Sequence, residues 1–355
     1  MAVEKGRGAT RNDESRRFNM PERHADGDWL DAQSGIDGAP FRRRTEVTVE
    51  HPRTIISRNN SPDIAFSQSI NAYRGCEHGC IYCFARPSHA YHDLSPGLDF
   101  ETRLFAKPNA AELLRSELSK KSHQVAPLAM GTNTDPYQPI EKDWRITRQC
   151  LELLWDCRHP VYITTKSDRI LRDIDLLSAM ARERLVSVMI SVTSLDPAIA
   201  RTLEPRAPHP LRRVEAIRHL SEAGVPVVAS ISPVIPAITD HEIEAIIARV
   251  AAAGAREASY IPVRLPYEVA PLFRDWLNAH YPDRAAKVMA IIQDIRGGRD
   301  NDTQFGRRMR GQGVWADLIR MRFLKARKRA GMGGERLALR TDLFRPPQGP
   351  QLQLL

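Results

Sequence analysis

Residues 225–232 read VPVVASIS, an apolar run without the alternation expected of a strand that has one face in water. Such a run is buried on both faces, as in a parallel sheet covered by helices. Upstream, residues 211–223 carry helical spacing and end in Ala-Gly; downstream, residues 241–253 do the same, consistent with glycine closing each helix. Working outward, the same alternation predicts further strands over 67–73, 126–132, 161–165, 186–192 and 258–263. Helices are predicted over 110–121, 147–157 and 169–183. Six strands separated by helices specify an α/β fold with parallel order, read as an open or partial (β/α)6 barrel. A doubly wound sheet is the alternative, because periodicity alone cannot close a barrel.

The flanks read differently. Residues 1–60 hold no sustained period and are expected to form a flexible N-terminal arm, with one short edge strand between Thr45 and Val49. The partial barrel is assigned to 61–265. After Pro266 the stretches PLFRDWLNAHY, AAKVMAIIQDI and VWADLIRMRFLKARKR predict a helical extension over 266–345, followed by a tail over 346–355.

Hydrophobic residues at 42% and charged residues at 27% describe a soluble globular chain, and no apolar run reaches transmembrane length. The opening MAVEKGRGATRNDESRR lacks an apolar segment after its basic residues, so a cytoplasmic location is expected and no membrane partner. The net charge is +9. Residues 296–345 hold fourteen basic and five acidic side chains, a surplus equal to that of the whole chain. A basic face of this kind suits a polyanion such as nucleic acid, although a solvated helix surface has the same composition.

Three of the five cysteines are packed into RGCEHGCIYCF, as Cys76, Cys80 and Cys83, directly after the first predicted strand. The spacing does not suit a disulfide framework and points to metal binding or catalysis. Loops at strand C-termini form the functional face of a parallel α/β protein. Gly75 and Gly79 allow the backbone to curl closely there. Three thiolates can ligate three irons of a cubane and leave the fourth open to a substrate. The competing assignment is a Cys3His zinc site using His78, His89 or His92. Cys150 and Cys157, seven apart on one helix face, are read as small buried hydrophobes.

At the CxxxCxxC motif the sequence resembles the radical S-adenosylmethionine superfamily. The segments RGCEHGCIYCFARPSHAY, GTNTDPYQPIE, ITTKS, SVTSLD, LEPRAP and SPVIPAITD narrow the resemblance to the subgroup of spore photoproduct lyase and DNA repair photolyase-like proteins, over about residues 68–240. With FGRRMRGQGVWADLI they are similar to one subfamily without an assigned substrate. The resemblance implies a [4Fe-4S] cluster on Cys76, Cys80 and Cys83, whose open iron is chelated by S-adenosyl-L-methionine. It further implies reductive cleavage of that cofactor and a 5′-deoxyadenosyl radical. Tyr82 matches the aromatic beside the adenine, while Thr134, Lys166 and Ser191 match positions that hold its methionyl and ribose parts. Arg206 is a further candidate for a carboxylate, its alternative being a salt bridge to Glu204 or another loop acid. An electron donor such as flavodoxin or ferredoxin is implied as a partner. The lyase's hydrogen-donating cysteine is matched here by Thr132, a poor hydrogen-atom donor, so thymine-dimer repair is not expected.

Asp135 and Glu141 are candidates to orient substrate or to cap the next helix, with the cap preferred for Asp135, and Asp240 is expected as a helix N-cap. The expected function is thus radical chemistry on an unidentified substrate, with nucleic acid the first choice. A protein or small metabolite as substrate, or a non-catalytic metal-binding nucleic-acid adaptor, are the alternatives.

Overall fold

The structure, a computed structural model, describes residues 4, 6–15, 17–18, 43–334 and 337–347. Its main sheet follows from the six apolar runs: β3 (Gln68–Ile70), β6 (Leu128–Met130), β7 (Val161–Thr165), β8 (Val186–Ser191), β9 (Val227–Val234) and β10 (Glu257–Pro262) pair in consecutive parallel order. Outside β3 lies one antiparallel strand, β2 (Ile56–Arg58), so β2 and β10 are the two edges of an open sheet. This is the partial parallel barrel expected, extended by an edge strand that three residues of sequence could not announce.

The crossovers are α1 (Ala110–Leu118), α2 (Ile146–Asp156), α3 (Ile174–Arg182), α4 (Pro210–Glu222) and α5 (Ile243–Ala252). Their apolar stripes, including Leu114, Leu154, Leu177, Ile217 and Ile247, form one core with Ile163, Val188 and Ala229 of the strands. Every connection from strand to parallel neighbour returns through a helix, so all six strand C-termini face the same way.

A second sheet joins β1 (Glu46–Val49), β5 (Arg103–Ala106) and β4 (Tyr73–Arg74). The strand expected between Thr45 and Val49 therefore belongs to this small sheet. Within the stretch expected to be a flexible arm, residues 6–15 differ from that reading where they meet the barrel. Gly8 and Ala9 donate backbone hydrogen bonds to the buried Glu101 carboxylate at 3.0 and 2.9 Å, and Arg7 donates to the Glu101 carbonyl at 3.1 Å.

The C-terminal helices are α6 (Val269–His280), α7 (Pro282–Ile295) and α8 (Gly313–Arg329). Phe273, Trp276, Val288 and Ile292 of α6 and α7 share a core with Ile81, Tyr82 and Leu203, so this part of the extension packs against the cysteine loop. Helix α8 buries Ala316, Ile319, Phe323 and Ala326, and Arg322 clamps Glu244 of α5 at 2.6 and 2.8 Å. No helix among the described residues is long and apolar enough to cross a membrane.

Candidate active site

The cysteine loop begins just past β4 and is held by its backbone. Cys76 N–H donates to Phe100 O at 3.0 Å, Ile81 N–H to Leu203 O at 3.0 Å, and Cys83 N–H to Cys80 O at 3.2 Å. Gly75 has φ of 71° and sits where a Cβ would lie 2.8 Å from Phe100 O, so both its conformation and its space require glycine. Arg86, fully buried, stitches the loop together. Its guanidinium donates to Cys80 O (2.9 Å), Gly79 O (3.0 Å), Pro96 O (3.0 Å) and Gly97 O (2.8 Å), and pairs with Glu101 at 2.5 Å. Because Glu101 also receives Gly8 and Ala9, one buried ion pair joins the N-terminal segment to the cysteine loop.

All three loop thiols are free, Cys76 and Cys80 buried and Cys83 partly so. Burial pushes the Cys80 thiol up to about 12 and Cys76 well above its usual value. Beyond burial, Asp135, Cys80 and Cys83 push the Cys76 thiol up further. Ligation by iron would relieve that repulsion by taking up the charge of the thiolates once their protons have left. Among the described residues no three His, Cys, Asp or Glu side chains converge on a point one metal ion could occupy. The histidines of the zinc alternative are engaged elsewhere. His78 Nδ1 lies 3.3 Å from Asp135. His89 Nε2 meets Arg103 O at 2.8 Å, and His92 packs its ring on Phe105 with centroids 5.1 Å apart. Three soft donors in one loop that do not converge on a single point fit a cluster, in which each thiolate takes its own iron, better than a closed zinc site.

The other residues expected at the site surround this loop. Thr134, just past β6, donates its hydroxyl to Gly75 O at 2.5 Å and accepts from Gln138 at 3.0 Å. Lys166, just past β7, holds its ammonium 5.7 Å from the centroid of the Tyr82 ring. Burial opposes the charge on Lys166, but Cys80 and Glu204 outweigh it and raise its pKa. Ser191 ends β8, with its carbonyl 3.3 Å from Arg213 Nη1. Arg206 pairs with Glu77 at 2.7 Å, and its N–H donates to His78 O at 3.2 Å. Its partner is thus an acid of the cysteine loop, not Glu204, because Glu204 is already committed.

Glu204, Arg213 and Asp135 carry more than sequence reasoning gave them. Glu204 accepts from the Tyr82 hydroxyl and from Thr193 Oγ1, the latter at 2.8 Å, and pairs with Arg213 at 2.5 Å. Burial opposes its charge, but Arg213, Lys166 and the two hydroxyls overcome this and hold its carboxyl down at about 2. Arg213 was legible in principle: it lies four and seven residues before Ile217 and Leu220, on the inward face of α4 where an apolar residue belongs.

Asp135 is not a helix cap. One oxygen accepts from Thr165 Oγ1 at 2.6 Å and Tyr137 N at 2.9 Å, the other from Lys166 N at 2.8 Å. Burial opposes its ionisation, yet His78 and these donors hold its carboxyl near 2. Glu141 does the capping, accepting from Thr147 N of α2 at 3.1 Å. Asp240 makes no side-chain cap; Glu242 reaches back instead to the 194–196 loop, accepting from Ser194 Oγ at 2.6 Å and Leu195 N at 2.7 Å. Thr132 is bound to Asn71, whose Nδ2 donates to its hydroxyl at 3.0 Å. Cys150 and Cys157 are buried as small hydrophobes, away from the loop in the strand–helix core.

The basic stretch 296–345 is partly neutralised in space. Arg296 is buried against carbonyls, and Arg307, Arg308, Arg322, Arg327 and Arg340 have carboxylate partners. Arg310, Arg320, Lys325 and Lys328 stay exposed without one among the described residues.

The family model described as Radical SAM superfamily matches residues 70–250, half of the chain, and spans the strand ends just described from β3 to β9. An uncharacterised protein of Mycobacterium tuberculosis is 34% identical over 236 residues, covering 66% of this chain and 69% of that one. A radical SAM Nalpha-GlyT isomerase of Pseudomonas phage M6 is 25% identical over 240 residues, 66% of this chain but 48% of its own. In three dimensions, spore photoproduct lyase complexed with dinucleoside spore photoproduct superposes with a TM-score of 0.56 at 14% identity, over 80% of this chain and 79% of the lyase. At that identity the likeness is one of fold. Together with the loop thiols, these matches place the chain in the Radical SAM superfamily, as an enzyme of radical S-adenosylmethionine chemistry.

Proposed function

We propose that Cys76, Cys80 and Cys83 hold a [4Fe-4S] cluster and that Tyr82, Thr134, Lys166 and Ser191 line the place of S-adenosylmethionine. When bound, the cluster supplies the electron that cleaves the cofactor to methionine and a 5′-deoxyadenosyl radical, which takes a hydrogen atom from substrate. The observation that carries this reading is the gathering of three free thiols with a partly buried ammonium, Lys166, against the Tyr82 ring.

The chain's own residues have separable tasks. Lys166 offers a cation to the cofactor carboxylate, its charge favoured by Cys80 and by Glu204, which in turn is held charged by Arg213. Tyr82 has its hydroxyl tied to Glu204 and Thr193, which fixes the ring against rotation out of the site. Asp135 fixes the backbone of Lys166 and couples the β7 end to His78 of the cysteine loop. Thr134 is committed to Gly75 O, so its contribution is to set the loop's path, with a second interaction open to its lone pairs. Arg206, paired with Glu77, steadies the loop from outside and is a weaker candidate for the cofactor itself.

Nucleic acid is the substrate class this reading favours, supported by the unpaired cations of α8 and of the turn before it. Flavodoxin or ferredoxin is the proposed electron donor, and the cytoplasm the proposed location. Anaerobic reconstitution with iron and sulfide, followed by assay for 5′-deoxyadenosine under strong reductant, tests the initiation step. Formation of deoxyadenosine is expected from the native protein, and its absence from an iron-loaded protein would count against the reading.

A further inference from the structure

Past the end of β10, Arg264 holds its guanidinium 5.2 Å from the centroid of the Phe84 ring. Phe84 directly follows Cys83, and half of its surface is exposed. Arg264 is only partly exposed, and among the described residues it pairs with no carboxylate and donates no hydrogen bond, its one close side-chain partner being the Phe84 ring. Nor are its nitrogens among the sealed, unpartnered polar atoms, so its donors remain open to solvent. Burial and the nearby Arg308 both lower its pKa, and the nearest opposing charge, Asp63, is already bound to Arg308 at 2.5 Å. A third arginine, Arg296, lies beneath and is spent on the carbonyls of Pro262 and Val263. A partly desolvated guanidinium among other arginines, with the acid that acts on it, Asp63, committed to Arg308, gains from an arriving anion that its open donors can reach.

We propose that Arg264 and Phe84 form a substrate-anchoring site for one nucleotide of a single-stranded nucleic acid, the guanidinium taking the phosphate and the ring stacking on the base. The arginine fork matches two phosphate oxygens, and an exposed aromatic ring is a stacking platform for any unpaired base. Phe305, also exposed and with Arg308 4.6 Å from its ring centroid, extends the same cation and aromatic pairing along the rim. A duplex would present its phosphates but not a free base face. The site's place beside Cys83 makes it part of the proposed radical reading, on which this inference rests for its catalytic meaning.

Fluorescence anisotropy with a labelled single-stranded DNA oligomer, titrated against the reconstituted protein across a salt series, reads the two contacts separately. Arg264→Ala is expected to weaken binding about tenfold and to lower the slope of log affinity against log salt by about 0.7, as for one lost phosphate contact to a single strand. Phe84→Leu is expected to weaken binding about tenfold with the slope unchanged, as for one lost stack. Arg264→Lys, which keeps the charge without the fork, falls between native and alanine. Iron content and thermal midpoint of each variant identify any that lose the fold, and Arg264→Lys then carries the comparison. Equal binding of single strand and duplex, or native affinity and slope in Arg264→Ala, would overturn the inference. Binding needs no turnover, so deoxyadenosine formation without oligomer binding rejects this site and spares the radical reading. Loss of deoxyadenosine formation with intact binding does the reverse.

Discussion

At the scale of single residues, the site rests on buried charges that are satisfied in pairs. Glu204 and Arg213 are both about 1% exposed, and removing one leaves the other's charge stranded. Arg213→Met is expected to destabilise the fold by about 3–5 kcal/mol, read as a lower midpoint in chemical denaturation. The double variant Arg213→Met with Glu204→Gln should recover part of that loss, because no unpaired charge remains. Lys166→Met is expected to weaken S-adenosylmethionine binding to the cluster-loaded protein by about tenfold, measured by equilibrium dialysis, with little effect on stability. The three cysteines were legible from their spacing and Tyr82 and Lys166 from the family resemblance, and the structure brings the Lys166 ammonium to the Tyr82 ring because strand ends in a parallel sheet converge. It could not assign partners. Arg206 is two residues from Glu204 in sequence but turns to Glu77, and Asp135 binds the end of β7 instead of capping a helix, because side-chain direction depends on packing that spacing does not encode.

At the scale of elements, the six parallel strands and five crossover helices were legible because runs buried on both faces and helical stripes are periodic signals. The sheet β1-β5-β4 was legible only at β1, where residues 45–49 alternate: β5 and β4 have four and two residues, too few for a period, and β1 meets β5 57 positions further along the sequence while β4 meets β5 33 positions on. The packing of Gly8 and Ala9 on Glu101 was equally hidden, since it is carried by backbone N–H groups that every sequence possesses. Glu101→Gln keeps the shape of that acceptor but strands the Arg86 charge. A loss of about 3–5 kcal/mol is expected, with faster proteolysis within residues 6–15 followed by mass spectrometry.

Across the whole molecule, the C-terminal segment closes over the base of the barrel, away from the cysteine loop. Phe344 packs on His123 and His159, with ring centroids 5.4 and 5.2 Å away, and Arg345 N–H donates to Cys157 O at 2.8 Å. His159 Nδ1 meets Pro160 O at 3.1 Å and its Nε2 faces His123 Nε2 at 3.1 Å, a contact that holds one proton between the two rings and has no room for a second. Burial depresses both, His159 to about 4; Arg58 adds to the effect on His123, while Glu117 opposes it. Unfolded histidines titrate near 6.5, so the pair's contribution is complete above that value and is lost as pH falls toward about 4. Denaturation midpoints should therefore drop between pH 7.5 and 5, and less so in His159→Asn. A midpoint with no such difference between native and variant would exclude the pair as an acid-sensitive clasp.

The central claim is that Cys76, Cys80 and Cys83 carry a cluster that initiates radical chemistry. Anaerobic reconstitution, metal analysis and a dithionite-driven assay on the same sample test it most directly. About four irons per chain, with 5′-deoxyadenosine and methionine formed in equal amounts, and loss of both iron and product when the three cysteines are changed to Ala, is the result expected. About one zinc per chain without iron or sulfide, or an iron-loaded protein that makes no deoxyadenosine under strong reductant, would contradict it.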